Sequence, residues 1–372
     1  MKPYIPNKMP FRPNIDYNEL AVQLLKANAS VSKYDGMLEE RMINEEIFLN
    51  PLTKKEAVLS SKIEGTQVTL TEILELEAEE GITSVKNKYD DFIEITNYNK
   101  AVVYAEKELN EKGKISLWVI RNIHKILLNG ARGENMTPGE FRTDQNWIGR
   151  PGSKLEEATF VPVPPEILLN CLEELEKYMC EYEEMSKLVQ AAIIHVQFEK
   201  IHPFKDGNGR IGRMLVPLFL YNQKVISRPV IYISEFFEEN REEYYDKLAN
   251  VNNENQKGWI EWILFFLKAI DTQANRNISK IRELQKLYED YKLRINDILN
   301  SKNSIYIVDA IFEFPIFKIN SLYDCVSKKT NIDKVTIQRY INRLEKEGII
   351  LAEKDKKRNR KYYFVKLIEK IQ

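Results

Sequence analysis

The sequence is short of histidine, cysteine, glycine and proline, and each shortage excludes something. Its 372 residues include three histidines and three cysteines. Cys171, Cys180 and Cys325 are widely spaced. They form neither a disulfide framework nor a zinc-ligand pattern, and read as thiols of a reducing cytoplasm. With His124, His195 and His202 as the complete set of imidazoles, a histidine-based metal cage is not expected. Glycine and proline number 14 each, so long stretches rich in Glu, Lys, Leu and Ile run uninterrupted and favour helix. Long apolar runs are missing too. The longest, Leu215–Tyr221 and Trp262–Leu267, fall far short of the roughly 20 residues that span a bilayer. The N-terminal MKPYIPNKMPFRPN lacks the apolar core of a signal peptide. The expectation is a cytoplasmic protein with no membrane partner.

What is present is 43% hydrophobic and 30% charged residues, a soluble globular balance over a length that suits two or three domains. The net charge of −1 is unevenly spread. Residues 304–372 carry fifteen Lys and Arg against nine Asp and Glu, a balance of +6, which leaves −7 for the remainder. That shift points to a separate C-terminal module. Helical spacing is read over Tyr17–Asn28, Lys54–Ile63, Thr71–Glu80, Asp90–Lys112 and Ser116–Asn129, then again over Glu166–Glu184 and Lys187–Lys200. Between them, residues 130–165 are rich in Gly, Pro and Thr, and Thr159–Val163 suits an extended strand or hairpin.

The most informative segment is HVQFEKIHPFKDGNGRIGRMLVPLFLY, His195–Tyr221. An amphipathic helix should stop at His202, because Pro203 disfavours the helical backbone at the residue before it. A loop, PFKDGNG, follows, and a second helix begins near Arg210. Gly207 and Gly209 allow backbone conformations that a side chain would block. Successive N–H groups can then cradle an anion ahead of a helix N-terminus. Arg210 and Arg213 lie one turn apart and suit bidentate contact with phosphate oxygens. Asp206 is a hard oxygen ligand for Mg²⁺. His202, at the loop mouth, can take a proton.

The string HPFKDGNGRIGR, His202–Arg213, resembles the signature of the Fic family. The resemblance extends from about residue 2 to about residue 270, through PGEFRTDQNWIG, ATFVPVPP, RPVIYISEFFEENREEYYDKLANV and WIEWILFFL. It implies a mainly α Fic-type helical bundle with a β-hairpin flap. It implies a protein adenylyltransferase that moves AMP from ATP, with Mg²⁺, onto a Ser, Thr or Tyr hydroxyl of a target protein, self-modification included. His202 would be the general base. The nucleotide would meet Asp206, Gly207, Asn208, Gly209, Arg210, Ile211, Gly212 and Arg213. Glu157, Ala158, Thr159 and Phe160 would form the flap, which pairs strand-like with the target backbone. Tyr244, Tyr245 and Asn252 would touch purine and ribose. Two adjacent helical tyrosines point about 100° apart, so one of them should be core.

A second pattern lies upstream. Ser60-Ser61-Lys62-Ile63-Glu64-Gly65 resembles the family's inhibitory motif. On a helix Ser60 and Glu64 share a face, and Gly65 suits the C′ position. The resemblance implies that Glu64 pairs with Arg213 in the place of the γ-phosphate. Residues 304–372 read as three helices, Ser304–Phe314, Ile319–Lys329 and Val335–Gly348, then strands Ile349–Ala352 and Lys361–Val365 around EKDKKRNR. This resembles a winged helix-turn-helix. Thr336, Gln338, Arg339, Asn342 and Arg343 on its third helix, with Lys356, Lys357, Arg358 and Arg360 in the wing, make DNA a candidate partner. A homodimer is another. His124 and His195 read as packed histidines; His195 is also two turns before His202 on the same face, which suits a supporting role.

The expected organisation is residues 1–112 with the inhibitory motif, 113–270 as catalytic core, 271–303 as a linker helix and 304–372 as the winged module. Two alternatives stay open: a DNA-binding regulator with a nucleotide-sensing core, and a Fic enzyme with another donor or with AMP-removing activity.

Overall fold

A computed structural model describes residues 2–6, 16–39, 45–79, 86–149, 154–252, 255–354, 356 and 358–372. The mainly helical expectation holds: fifteen α-helices and one small sheet are found among the described residues. No described helix is long and apolar enough to cross a membrane.

The chain divides into two compact units. The first comprises Met1–Glu40, Leu59–Thr66 and Ile93–Asn275. It contains α1 (Tyr17–Glu39), the end of α2 (Glu45–Ile63), most of α4 (Lys86–Lys112), α5 (Leu117–Leu128), α6 (Pro165–Glu181), α7 (Lys187–Ile201), α8 (Asn208–Asn222), α9 (Ser234–Glu239), α10 (Arg241–Asn250) and the start of α11 (Gln256–Leu299). Its centre is the α7–α8 pair. Leu188, Val189, Ile193, Val196 and Phe198 of α7 and Ile211, Leu215 and Phe219 of α8 are all buried, so neither helix keeps a solvent stripe beyond its ends. Ser186 caps α7 by accepting from the Val189 amide at 3.5 Å, which relieves one free N–H of the first turn. The indole of Trp262 on α11 donates to the Ala192 carbonyl at 2.9 Å and fixes α11 against α7.

The second unit comprises Arg41–Val58, Gln67–Phe92 and Arg276–Gln372. It holds α3 (Leu70–Ala78), α12 (Ser304–Glu313), α13 (Ile319–Ser327), α14 (Lys334–Lys346) and α15 (Val365–Ile371). A three-stranded antiparallel sheet, in order β1-β3-β2, joins β1 (Ile316–Phe317), β2 (Leu351–Ala352) and β3 (Tyr362–Tyr363). Ile316 and Leu351 both register with Tyr363. The three C-terminal helices and the two strands read from the sequence are present in shorter form; β1 and α15 were not read. Within this unit α3 packs on β1, and Lys361, just before β3, bridges to Glu79 at 3.1 Å. Of the residues read as a wing from the sequence, Lys357 lies outside the described residues.

Candidate active site

Helix α7 ends at His202 in the left-handed conformation, φ 52° and ψ 61°, because Pro203 keeps it out of the helical region. That turn aims the imidazole out of the helix line. His202 Nδ1 lies 3.0 Å from the Glu199 carbonyl. A carbonyl only accepts, so Nδ1 carries the hydrogen and Nε2 keeps a lone pair. Burial depresses the His202 pKa, with the Glu199 carbonyl opposing part of the effect. The ring is therefore neutral at pH 7 and able to accept a proton.

The loop after it is tightly specified. Asn208 Oδ1 accepts from the Phe204 amide and Nδ2 donates to the Phe204 carbonyl, both at 2.8 Å. Both ends of the Asn208 amide thus shape the loop. Gly207 takes the left-handed region at φ 79°, and its N–H donates to Asp206 Oδ1 at 2.7 Å. His124 supports the loop from below. The Gly139 amide donates to its Nδ1 at 2.8 Å, so Nε2 carries the hydrogen and donates to the Asp206 carbonyl at 3.1 Å. The ring stacks on Phe204, centroids 3.8 Å apart, and burial pushes its pKa down to about 4. Arg142, also buried, ties the loop root to the segment that follows the flap. It donates to the His202 carbonyl at 2.9 Å and to the Val163 carbonyl.

Both motif arginines are buried and both face a carboxylate. Arg213 donates to Glu64 Oε1 at 2.7 Å, to Ser60 Oγ at 2.9 Å and to the Ser60 carbonyl at 2.8 Å. The arginine side chain is 1% exposed and that of Glu64 36%. Burial alone would raise the Glu64 pKa, but the charge and hydrogen bond of Arg213 outweigh it and hold the carboxyl below its usual range. Gly65 and Thr66 close the helix end: their amides donate to the carbonyls of Lys62 at 2.9 Å and Ser61 at 3.2 Å, the paired bonds of a Schellman motif. A Cβ on Gly209 would lie 2.1 Å from Glu64 Oε1, so only glycine lets the carboxylate approach α8 this closely. Arg210 pairs with Glu94 of α4 at 2.8 Å and with Asp206 at 3.4 Å.

Helix α10 reaches the same helix end. Arg241 donates to the Ile63 carbonyl at 2.6 Å, and Tyr245 approaches it at 3.5 Å. Of the two adjacent tyrosines, Tyr244 is the core one and Tyr245 is 43% exposed. Tyr244 donates to His195 Nε2 at 3.0 Å, and His195 Nδ1 donates to the Gly212 carbonyl at 2.9 Å. His195 thus connects α8 to α10. Asn252, past the end of α10, is exposed, and its carbonyl accepts from the Trp259 indole at 3.1 Å. Ile211 and Gly212 are buried in α8.

Among the described residues, the flap segment Glu157–Phe160 pairs through a single bridge. Leu155–Glu157 is a single 3-10 turn, and one antiparallel bridge joins Ile148 to Phe160. The Tyr4 amide donates to the Val161 carbonyl at 2.8 Å, so the edge beyond the flap already takes one backbone partner.

Glu94, Arg132, Arg142 and Arg241 were missed by sequence reasoning. Glu94 had a signal: with Asn97, Tyr98 and Ala101 it occupies the buried i, i+3, i+4, i+7 face of α4, where a carboxylate needs a cationic partner.

The class set by these features is a helical core around a glycine-bearing loop at a helix N-terminus, with a neutral histidine at its mouth. Two family models match the chain: Fic/DOC family over residues 114–220 and Fic/DOC family N-terminal over residues 21–107. The chain belongs to the Fic/DOC family. It is similar to a probable protein adenylyltransferase of Aquifex aeolicus, 27% identical over 182 residues, which cover 49% of this chain and 52% of that protein. It is also similar to the protein adenylyltransferase Fic-1 of Caenorhabditis elegans, 28% identical over 155 residues, covering 41% and 27%. The chain thus spans about half or less of the length of these relatives. A Fic family protein from Desulfovibrio desulfuricans superposes with a TM-score of 0.59 at 17% identity over 98% of both chains, and shares the fold.

Proposed function

We propose that this chain is a protein adenylyltransferase whose activity is held off by Glu64. The observation that carries the reading is the pairing of a neutral, Nδ1-anchored His202 with an anion loop whose second arginine is occupied by a carboxylate at 2.7 Å. The named activity of the relatives supports it. In the proposed reaction a target Ser, Thr or Tyr hydroxyl gives its proton to His202 Nε2, and its oxygen attacks the α-phosphorus of ATP. The bond from that phosphorus to the β-bridging oxygen breaks, and pyrophosphate leaves. Little covalent work falls to the protein; positioning and charge stabilisation carry the rate.

The Gly207–Gly209 backbone at the start of α8 would receive the phosphates. Arg210 and Arg213 would take the β- and γ-phosphates, and Tyr245, beside Ile63, would border the nucleoside. A γ-phosphate and Glu64 compete for one guanidinium, so ATP meets the wild-type site without its second arginine. The Asp206 side chain is 39% exposed, open to a cation. Among the described residues no cluster of three or more His, Cys, Asp or Glu could cage a metal, which fits Mg²⁺ held by one carboxylate and substrate phosphates. Bound there, Mg²⁺ would neutralise charge on the leaving pyrophosphate. The flap edge near Phe160 would pair with target backbone.

The test is transfer by Glu64→Gly with ATP labelled at the α- or the γ-phosphate. Protein-bound label from the α position alone supports the reading. Label from the γ position, or none from either, contradicts it. GTP, CTP and UTP in the same assay read the donor base.

The C-terminal module supports a second, separate reading, as a duplex-DNA contact. A cleft of about 720 Å³ between α14 and the wing is lined by Lys334, Gln338, Lys354, Lys356, Arg358 and Arg360. Glu345 offsets Arg360 at 2.6 Å and Glu353 offsets Lys356 at 3.1 Å, which, among the described residues, leaves Lys334, Lys354 and Arg358 to carry the affinity. Duplex binding that weakens steeply with salt supports this reading, and its absence at low salt removes it.

A further inference from the structure

Glu94 is the least explained charge in the first unit. It is a carboxylate on α4, 2% exposed, and no sequence pattern assigns it a part in chemistry. Its Oε1 lies 2.8 Å from Arg210 Nη1 and its Oε2 3.5 Å from Arg132 Nη2. The Thr66 hydroxyl stands 3.5 Å from Oε1 and receives the Arg132 Nη2–H at 3.2 Å. Thr66 is the residue whose amide closes the helix end that carries Glu64.

The geometry around Arg210 is unusual. Its Nη1 is within ion-pair distance of Glu94 but out of line for a hydrogen bond, and its Nε has no hydrogen-bond partner among the described residues. A buried guanidinium with unmatched donors is costly. Glu94 balances the charge of Arg210 here.

We propose that Glu94 is a positioning residue: it holds Arg210 in place for the β-phosphate and, through Thr66 and Arg132, links that arginine to the inhibitory segment. The inference rests on the adenylyltransferase reading. Ser60 and Glu64 hold Arg213, while Thr66 joins the network on Arg210. Within seven successive residues at one helix end, Ser60 and Glu64 contact Arg213 and Thr66 contacts Glu94, the partner of Arg210. A segment displaced from Arg213 also loses its seat at Glu94, so release at the two arginines is coupled.

The test compares Glu64→Gly with Glu64→Gly/Glu94→Gln in the full chain. Two readouts are taken: steady-state transfer from ATP, and calorimetric binding of Mg-ADP and of AMP. The expected result is a rise in KM for ATP of about 10–100-fold, the range for losing one charge-assisted contact, with a smaller change in kcat. Affinity for Mg-ADP should fall by a similar factor, and affinity for AMP, which has no β-phosphate, should not change. A purely structural role would lower both affinities together, and that result overturns the proposal; so does an unchanged KM and Mg-ADP affinity. Glu94→Asp keeps the charge but draws it back by one methylene, and should give an intermediate loss; if Glu94→Gln does not fold, full Mg-ADP affinity in Glu94→Asp overturns the proposal. If Glu64→Gly transfers nothing, the reaction reading has failed, yet the ADP-against-AMP comparison still decides the part played by Glu94.

Discussion

Replacing Glu64 with glycine removes one carboxylate from a buried arginine, and the structure sets the size of the effect. Arg213 loses a 2.7 Å bond but keeps its two bonds to Ser60. Glu64 lies past the end of α2, in a turn, so the usual helix-interior penalty for glycine does not apply. Full loss of a buried ion-pair partner costs about 3–5 kcal/mol. The surviving Ser60 bonds and the 36% exposure of Glu64 bring this nearer the about 1.5–3 kcal/mol of a single hydrogen bond between charged groups. At about 2–4 °C per kcal/mol for a domain of roughly 150–250 residues, the apo variant should melt about 3–12 °C below the wild type. Saturating nucleotide at about 100 times its Kd returns about 2.7 kcal/mol. On the proposed function the γ-phosphate would take the freed arginine only in the variant, so Mg-ATP should raise its Tm by more than it raises the wild type's. Thermal unfolding with and without Mg-ATP reads both numbers. An unchanged apo Tm together with equal nucleotide shifts would refute the competition between Glu64 and phosphate.

Other predictions use the same site. Arg213→Ala should abolish transfer in a labelled-ATP assay and should not be rescued by Glu64→Gly, since inhibition and phosphate binding run through one guanidinium; recovery in the double variant contradicts this. Burial depresses the His202 pKa, so the reactive neutral form persists below the ordinary histidine value of about 6.5. In a pH–rate profile of Glu64→Gly, the acid limb of kcat/KM should therefore lie below about pH 6.5, and a limb centred above that value contradicts the buried base. Burial also holds His124 to about 4 and His195 to about 3. The unfolded chain then binds protons that the folded chain does not, and each of these two rings should remove up to about 1.4 kcal/mol of stability per pH unit below about pH 6.5; denaturant titrations of the natural chain against His124→Gln over pH 7 to 5 check the sign. Deleting residues 304–372 should uncover Leu70 and Leu74 of α3, which line a crevice with Glu313, Pro315 and Ile371, and should raise binding of a hydrophobic dye; no change contradicts the packing of α3 on β1.

Much of the core was legible in the sequence because its signals are local. The end of α7 followed from Pro203, the start of α8 from the glycine-bearing loop, and the turn at Gly65 from its place after an apolar helix. Helix α8 begins two residues before the Arg210 read from the sequence, within the usual uncertainty of helix ends. What was not legible depends on contacts between distant segments. Glu94 and Arg210 are 116 positions apart and meet only in the folded unit. The two-residue strand β1 is too short to carry a period of two. The charge shift at residue 304 marks the basic wing but not Gln67–Phe92, which pack in the same unit; α3 is joined to the wing by Glu75 and Glu79, and these look in sequence like ordinary exposed helix charges. The strand signal of Thr159–Val163 was read as a flap hairpin, but backbone pairing needs a partner segment that the sequence did not identify, and Ile148 supplies one bridge.

The central claim is that His202 drives AMP onto a protein hydroxyl once Glu64 is gone. Intact-mass spectrometry of purified Glu64→Gly after incubation with Mg-ATP tests it most directly, beside the natural chain and Glu64→Gly/His202→Ala. An AMP adduct is expected on Glu64→Gly, with far less on the natural chain and a loss of about 10²–10⁴-fold in rate without the imidazole. An adduct that forms equally on all three proteins would contradict it, as would a protein that binds Mg-ATP and gains no AMP with or without an added hydroxyl-bearing target.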